Sequence, residues 1–93
     1  MVMKNIVVDN NEYELIKNYR EAFDLDNFIL YYTDYFYDYD YIVGDIAYGK
    51  LRLKGFYDNN NKKVKSINNY DYVNKYLEED CAFDCKYFIL KKI

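Results

Sequence analysis

The sequence predicts an α+β protein with a mainly antiparallel sheet of about five strands and two helices, in the order β-β-α-β-β-α-β. Pairs of short apolar runs flank turn-forming residues, two segments repeat apolar residues every three or four positions, and an apolar run closes the chain. With 93 residues, 52% of them hydrophobic, there is room for one compact core. We therefore expect a single domain over residues 1–93, folding without disulfides or metal.

The N-terminal third predicts a hairpin followed by a helix. Ile6–Val8 and Tyr13–Ile16 flank Asp9-Asn10-Asn11, and Asp and Asn tolerate the left-handed backbone of tight turns. From residue 25 the apolar spacing changes to three and four, with Asp24 or Asp26 available as N-cap. The apolar positions are Leu25, Phe28, Ile29, Tyr32, Tyr35 and Phe36. They predict one face of a helix of about three turns.

A second hairpin is predicted for the middle of the chain. Tyr41–Val43 and Leu51–Lys54 have strand character, and the segment between them contains Gly44 and Gly49, where positive φ is cheap. Along the second strand apolar and cationic residues alternate strictly, so one side of the strand is basic. The cations on that side are Lys50, Arg52 and Lys54.

The last third predicts a loop, a helix and a strand. Residues 58–69 show no periodicity and indicate a loop. Tyr70, Val73, Leu77 and Cys81 follow at helical spacing, with Asn68 or Asn69 as N-cap. The continuous apolar run at residues 87–90 suits a strand that is buried on both faces.

Composition excludes several classes of function. The chain has no His, the commonest general base near neutral pH and the commonest zinc ligand, so Ser-His-Asp triads and His-metal sites are excluded. No apolar stretch approaches the roughly 20 residues that span a bilayer, and residues 1–5 lack the apolar core of a signal peptide. We expect a cytoplasmic protein without a cofactor or a membrane partner.

Charge is distributed unevenly along the chain. Residues 1–45 contain three basic and ten acidic residues, whereas residues 46–93 contain ten basic and six acidic ones. Such polarity can orient a protein on a charged partner, although the two halves partly cancel where the fold interleaves them.

Four stretches of the chain resemble the YutD-like family of small bacterial proteins. They are Tyr13–Ile16 with Tyr19, Arg20 and Phe23; Tyr39–Asp45; Leu51–Tyr57; and Cys81, Phe83, Cys85, Tyr87, Phe88 and Leu90–Lys92. The chain departs from the family pattern at Ile46-Ala47, where the family has Trp-Gly, and at Asp84, where it has Gly. The resemblance implies a small cytosolic α/β protein of Gram-positive bacteria and their wall-less relatives, and it implies no particular activity.

The basic strand is the first candidate site. Lys50, Arg52 and Lys54 share one side, and the loop cations Lys62, Lys63 and Lys65 are expected nearby. Such a surface can hold a phosphate backbone, and Phe56 or Tyr48 would stack a base, as in proteins that bind single-stranded RNA on a sheet. The alternative is an ordinary solvated face whose cations protect the strand from aggregation and pair with carboxylates such as Asp45.

Carboxylates and thiols offer weaker candidates. Asp40 and Asp45 bracket a short strand and would bind a cation or act as a base, but turn-forming hydrogen bonds explain such residues equally well. Asp45 lies opposite Arg52 in the predicted hairpin, which makes an ion pair plausible, and a buried pair would be structural. Cys81 and Cys85 are weak metal candidates, because zinc needs four ligands; two small buried hydrophobes are the alternative.

These residues favour a non-enzymatic interaction module that contacts RNA or a ribonucleoprotein through the basic face around Arg52 and Lys54. The alternative is a protein–protein adaptor that uses the exposed tyrosines of the first helix and the acidic N-terminal half. An enzyme that holds a phosphate-bearing small molecule is the least favoured reading.

Overall fold

The computed structural model describes residues 4–47, 49–80 and 86–93, and its elements follow the predicted order. The strands are β1 Lys4–Val8, β2 Asn11–Tyr19, β3 Tyr41–Ala47, β4 Lys50–Phe56 and β5 Lys86–Lys92; the helices are α1 Leu25–Tyr31 and α2 Val73–Asp80. Short 3-10 turns lie at Asp34–Phe36, Ser66–Asn68 and Tyr70–Tyr72. Five antiparallel strands and two helices across the described ranges confirm the predicted α+β class.

The last strand lies at the centre of the sheet. The order is β1-β2-β5-β3-β4, and every pairing is antiparallel. Phe88, Ile89 and Leu90 of β5 are all buried, as expected for a strand with both faces covered. This order leaves β1 and β4 as the two edge strands.

A helix covers each face of the sheet. On one face apolar side chains from all five strands pack against Phe28, Tyr32 and Phe36 of α1 and the segment after it. On the other face Val43, Phe56 and Ile89 pack against Val73 of α2. The face that carries the cations of β4 is therefore the α2 side.

The first hairpin has the predicted turn. Val8 pairs with Asn11, and Asp9 and Asn10 have φ values of 49° and 66°. Two consecutive left-handed residues match the right-handed twist of the flanking strands, and Asp and Asn tolerate this backbone well. The turn residues predicted from sequence thus close β1 and β2.

Helix α1 is shorter than its apolar spacing predicts. Asp24 caps it, accepting a hydrogen bond from the backbone N–H of Asp26 at 3.2 Å. The helix contains seven residues and ends because Tyr32 and Thr33 are extended. A 3-10 turn then brings Phe36 back to the core. The prediction of a three-turn helix was wrong. Phe28, Tyr32 and Phe36 are buried at helical spacing, but a short extended break between two helical segments preserves that spacing as well as a continuous helix does.

Gly44 lies in the middle of β3, not in the turn between the strands. A Cβ atom built on Gly44 would lie 2.1 Å from Cζ of Phe88 on the neighbouring strand. The fully buried Phe88 ring occupies the space of the missing side chain. Gly44 is therefore required for close packing at the sheet centre, and the predicted role in a turn was wrong.

The segment between β4 and α2 is fastened to the sheet. Asp40 accepts hydrogen bonds from the backbone N–H of Asp58 at 2.8 Å and from Nδ2 of Asn61 at 2.9 Å. Asn69 caps the turn before α2 by accepting from the N–H of Asp71 at 2.9 Å, as predicted for one of the two candidate caps. The carboxylate of Asp40 therefore anchors a loop.

Among the described residues, no helix combines the length and the apolar character needed to cross a membrane.

Candidate interaction site

The cations of β4 lie side by side, but they differ in accessibility. Lys50 and Arg52 are exposed, whereas Lys54 is half-buried. The ammonium of Lys54 lies 5.3 Å from the ring centroid of Phe56 and 5.7 Å from that of Tyr76 on α2. Both distances are within the range of cation–π attraction, so the aromatic rings hold the Lys54 side chain against the sheet.

Arg52 forms a two-pronged ion pair with Asp45. Its Nε and Nη2 donate to Oδ1 and Oδ2 of Asp45 at 2.9 and 2.8 Å. The two residues are direct cross-strand partners in β3 and β4. The Asp45 side chain is 0% exposed, whereas the Arg52 side chain is 45% exposed. The ion pair inferred from sequence is present. Because its carboxylate is buried, the main role of Arg52 is to neutralise Asp45 within the fold.

Phe56 is not available to stack a base. Its side chain is 1% exposed, and Tyr76 packs edge-on against it with centroids 5.6 Å apart. Helix α2 covers this end of the basic strand, so the expected stacking platform at Phe56 was wrong. Tyr48, the other stacking candidate, lies outside the described residues.

One of the loop cations, Lys63, is engaged with a carboxylate. Lys63 donates to the Asp38 carboxylate, which also accepts from the hydroxyl of Tyr57 at 3.2 Å. The hydrogen bond from Lys63 lowers the pKa of Asp38, and the same contact raises the pKa of Lys63. Tyr57 stacks on Tyr39 at 4.6 Å, and Tyr39 packs on the α1 side. Lys63 is thus paired with Asp38, while Lys62 and Lys65 are exposed.

A second surface lies on the outer side of α1. Phe28 points into the core, whereas the large apolar residues around the rest of this short helix are exposed. We call them the α1 patch: Leu25, Ile29, Leu30 and Tyr31. The most exposed is Leu30, at 79%. Exposed acidic residues lie on α1 or next to it in the chain, and we call them the acidic rim: Glu21, Asp24, Asp26 and Asp34.

The α1 patch differs from the helix face that the apolar spacing predicted. Leu25, Ile29 and Tyr35 were placed on one face with Phe28, yet all three are exposed. The reason is that a helix of seven residues contacts the sheet mainly through Phe28, and Tyr32 at its end completes the contact. Leu30 and Tyr31 are not part of the predicted apolar face. Their presence in the sequence indicated that α1 has a second apolar side.

Metal and thiol sites gain no support from the structure. Cys81 and Cys85 lie outside the described residues, so their role stays a prediction. In the described ranges, no three carboxylate, thiol or imidazole side chains gather closely enough to hold a metal ion.

Comparison with known proteins identifies the family. The family described as "Putative antitoxin YutD-like" matches residues 7–91. The chain is 43% identical over 88 residues to "Putative antitoxin YutD" of Bacillus subtilis (strain 168), covering 95% of this chain and 97% of that protein. It also superposes on the solution NMR structure of protein YutD from B. subtilis, with a TM-score of 0.80 and 42% identity over 100% of this chain and 83% of the other. The chain therefore belongs to the YutD-like family.

Proposed function

We propose that this protein acts as an antitoxin by binding a protein partner through the α1 patch. The description of its family and of its B. subtilis relative as putative antitoxins supports this class of function. The observation that carries the proposal is the exposure of four large apolar side chains on one seven-residue helix. Contiguous exposed apolar surface with a polar rim is characteristic of protein interaction sites.

The acidic rim defines the chemistry of the partner. Glu21, Asp24, Asp26 and Asp34 are exposed on α1 or next to it in the chain, so a complementary partner has an apolar pocket bordered by Lys or Arg. Burying a Leu or Ile side chain completely contributes about 1.5–3 kcal/mol. Leu30 is the most exposed of the four and is the candidate anchor. The rim charges would mainly speed association and set its salt dependence.

Binding of RNA by the basic strand receives less support. Arg52 is engaged with the buried Asp45, and Phe56 lies beneath α2. These two residues were the central cation and one of the two stacking candidates, with Tyr48, of the RNA hypothesis, so, among the described residues, the strand retains Lys50 and Lys54 as its unpaired cations. A protein partner is therefore the proposal, and RNA is one outcome of its test.

The test compares Leu30→Asp with a matched control, Val7→Asp. Val7 is 69% exposed on β1. Its neighbours Ile6 and Val8 pack on the α1 face, so Val7 lies on the opposite face of the sheet, and both changes place a charge on an exposed apolar position. Each chain is immobilised and incubated with cell extract, with and without nuclease. Proteins retained by wild type and Val7→Asp but lost with Leu30→Asp are then produced in pure form and titrated by calorimetry.

A true partner arrests growth when expressed alone, and co-expression of the wild-type chain or Val7→Asp restores growth. We expect Leu30→Asp to weaken binding by at least about tenfold, because it places a carboxylate in an apolar pocket. Equal retention by Leu30→Asp, or retention that nuclease abolishes, would contradict the proposal. The latter result would return the basic strand to consideration as an RNA site.

A further inference from the structure

The outer edge of β4 presents unpaired backbone groups to a groove. The N–H of Tyr57 donates to the carbonyl of Asn68 at 2.7 Å, and its carbonyl accepts from the N–H of Tyr70 at 2.9 Å. Tyr57 therefore directs both backbone groups away from β3. Phe56 faces the opposite way, since its carbonyl accepts from the N–H of Asp40 at 3.1 Å.

The same direction applies to every second residue along the strand. An antiparallel strand sends the backbone groups of alternate residues to alternate sides, and the pairing of β3 with β4 has no shift in register from Lys50 to Phe56. Gly55, Leu53 and Leu51 therefore also point outward. Among the described residues none supplies a backbone partner to these three, and the open edge is about 14 Å long at ~3.4 Å per residue.

The groove along this edge has a distinct wall on each side. Its volume is about 510 Å³. Tyr35 and Tyr39 line the α1 side, and Ile67 and Tyr76 line the α2 side. A second hollow of about 480 Å³ adjoins it beneath α2, where Lys54 and Lys75 stand beside Tyr72 and Tyr76. Main-chain pairing along an edge supplies affinity, and neighbouring hollows that receive alternate side chains supply selectivity.

The charges of β4 decide what can occupy the edge. A second copy of the chain paired β4 against β4 would set Lys50, Arg52 and Lys54 opposite the same cations, and like charges directly across a strand pair are destabilising. A partner strand with acidic side chains would instead be attracted to these cations. Lys50 and Lys54 have no carboxylate partner within the part of the chain that the structure describes, so both are placed to pair with incoming Glu or Asp side chains.

We propose that the open edge of β4 binds an extended segment of a partner protein in which acidic and apolar residues alternate, adding it to the sheet as a sixth strand. Its acidic side chains lie on the side of Lys50 and Lys54, and its apolar side chains contact Leu53 and the rings of Tyr35 and Tyr39. This site is separate from the α1 patch and goes beyond the proposed function.

The test uses the whole ¹⁵N-labelled chain and two capped eight-residue peptides, one alternating Glu and Val and the other alternating Lys and Val. We expect saturating Glu/Val peptide to slow amide hydrogen exchange at Leu51, Leu53 and Gly55 by at least about tenfold, because hydrogen-bonded amides exchange only on opening. Amides of β1, the opposite edge, serve as the internal control and should not change. The Lys/Val peptide should not protect either edge.

A charge-reversed variant gives an independent readout. Lys54→Glu should weaken binding of the Glu/Val peptide by about fivefold, because an attractive cross-strand charge pair becomes a repulsive one. Lys4→Glu, an exposed lysine on β1, should have no effect, and Leu30→Asp should bind the peptide like wild type. If Lys54→Glu fails to fold, the exchange experiment on the unmodified chain still decides.

Three results would overturn the proposal. The first is unchanged exchange at all three amides in millimolar Glu/Val peptide. The second is equal protection by the Lys/Val peptide, which would show pairing without charge selection. The third is a uridine oligonucleotide that shifts the β4 amides when the peptide does not, which would make the strand a nucleic-acid site.

Discussion

Removing Arg52 should destabilise the protein more than removing its partner Asp45. The Asp45 carboxylate is 0% exposed, whereas 45% of the Arg52 side chain contacts solvent. In Arg52→Met the buried carboxylate loses both charged hydrogen bonds and cannot reach water. Breaking a buried ion pair in this way costs about 3–5 kcal/mol. In Asp45→Asn the guanidinium can turn to solvent, and we expect a loss of about 1–3 kcal/mol.

Urea unfolding followed by circular dichroism measures these differences. Lys50→Met is the matched control, because Lys50 is an exposed cation on the same side of the same strand, and we expect its effect to stay within about 0.5 kcal/mol. The double variant Asp45→Leu with Arg52→Met should recover most of the loss, since an apolar pair of similar volume often replaces a buried ion pair at little cost.

Equal midpoints for Arg52→Met and Lys50→Met would refute the reasoning. They would mean that the Asp45 carboxylate finds other stabilisation and that the ion pair contributes little to folding. The experiment therefore tests whether the role of Arg52 is structural.

Three further predictions concern the backbone and one phenol. Gly44→Ala should lower stability by about 1–3 kcal/mol in thermal unfolding, because the new Cβ would lie 2.1 Å from the Phe88 ring; an unchanged Tm would refute this packing. Glu21→Gly should raise Tm, since Glu21 has φ 55° and left-handed backbone costs other residues about 1–2 kcal/mol; no rise would show that the conformation is unstrained. The hydrogen bond with Tyr35, followed by burial, raises the pKa of Tyr39 from 10.0 to about 12, so the folded state holds this proton more tightly and stability should fall between about pH 10 and 12. In an absorbance titration, Tyr39→Phe should show one fewer tyrosine ionising above pH 10 than wild type. An unchanged titration curve would contradict the raised pKa of Tyr39.

Local chemistry made several elements predictable. Asp9 and Asn10 form the first turn because their side chains tolerate positive φ, and Asp24 caps α1 because its side chain reaches the N–H of Asp26. The apolar run of β5 indicated burial on both faces, and the sheet places it centrally. Each of these features depends on residues that are close together in the chain.

The candidate site was predictable only in part. The alternation of β4 correctly placed Lys50, Arg52, Lys54 and Phe56 on one side, and the pairing of Asp45 with Arg52 followed from the hairpin. The same alternation did not show that α2 folds over Phe56, or that the apolar residues of α1 divide between the core and solvent. Both outcomes depend on contacts between residues far apart in sequence.

The sequence by itself determined the class of the fold, the order of its elements and the basic side of β4. The tertiary structure decided that β5 inserts between the two hairpins, which leaves β4 at an edge with a groove beside it. It also decided that Gly44 accommodates a ring and that Arg52 is held by a buried carboxylate. The physical reason is that periodicity states which side chains share a side, whereas strand order and packing determine what covers that side.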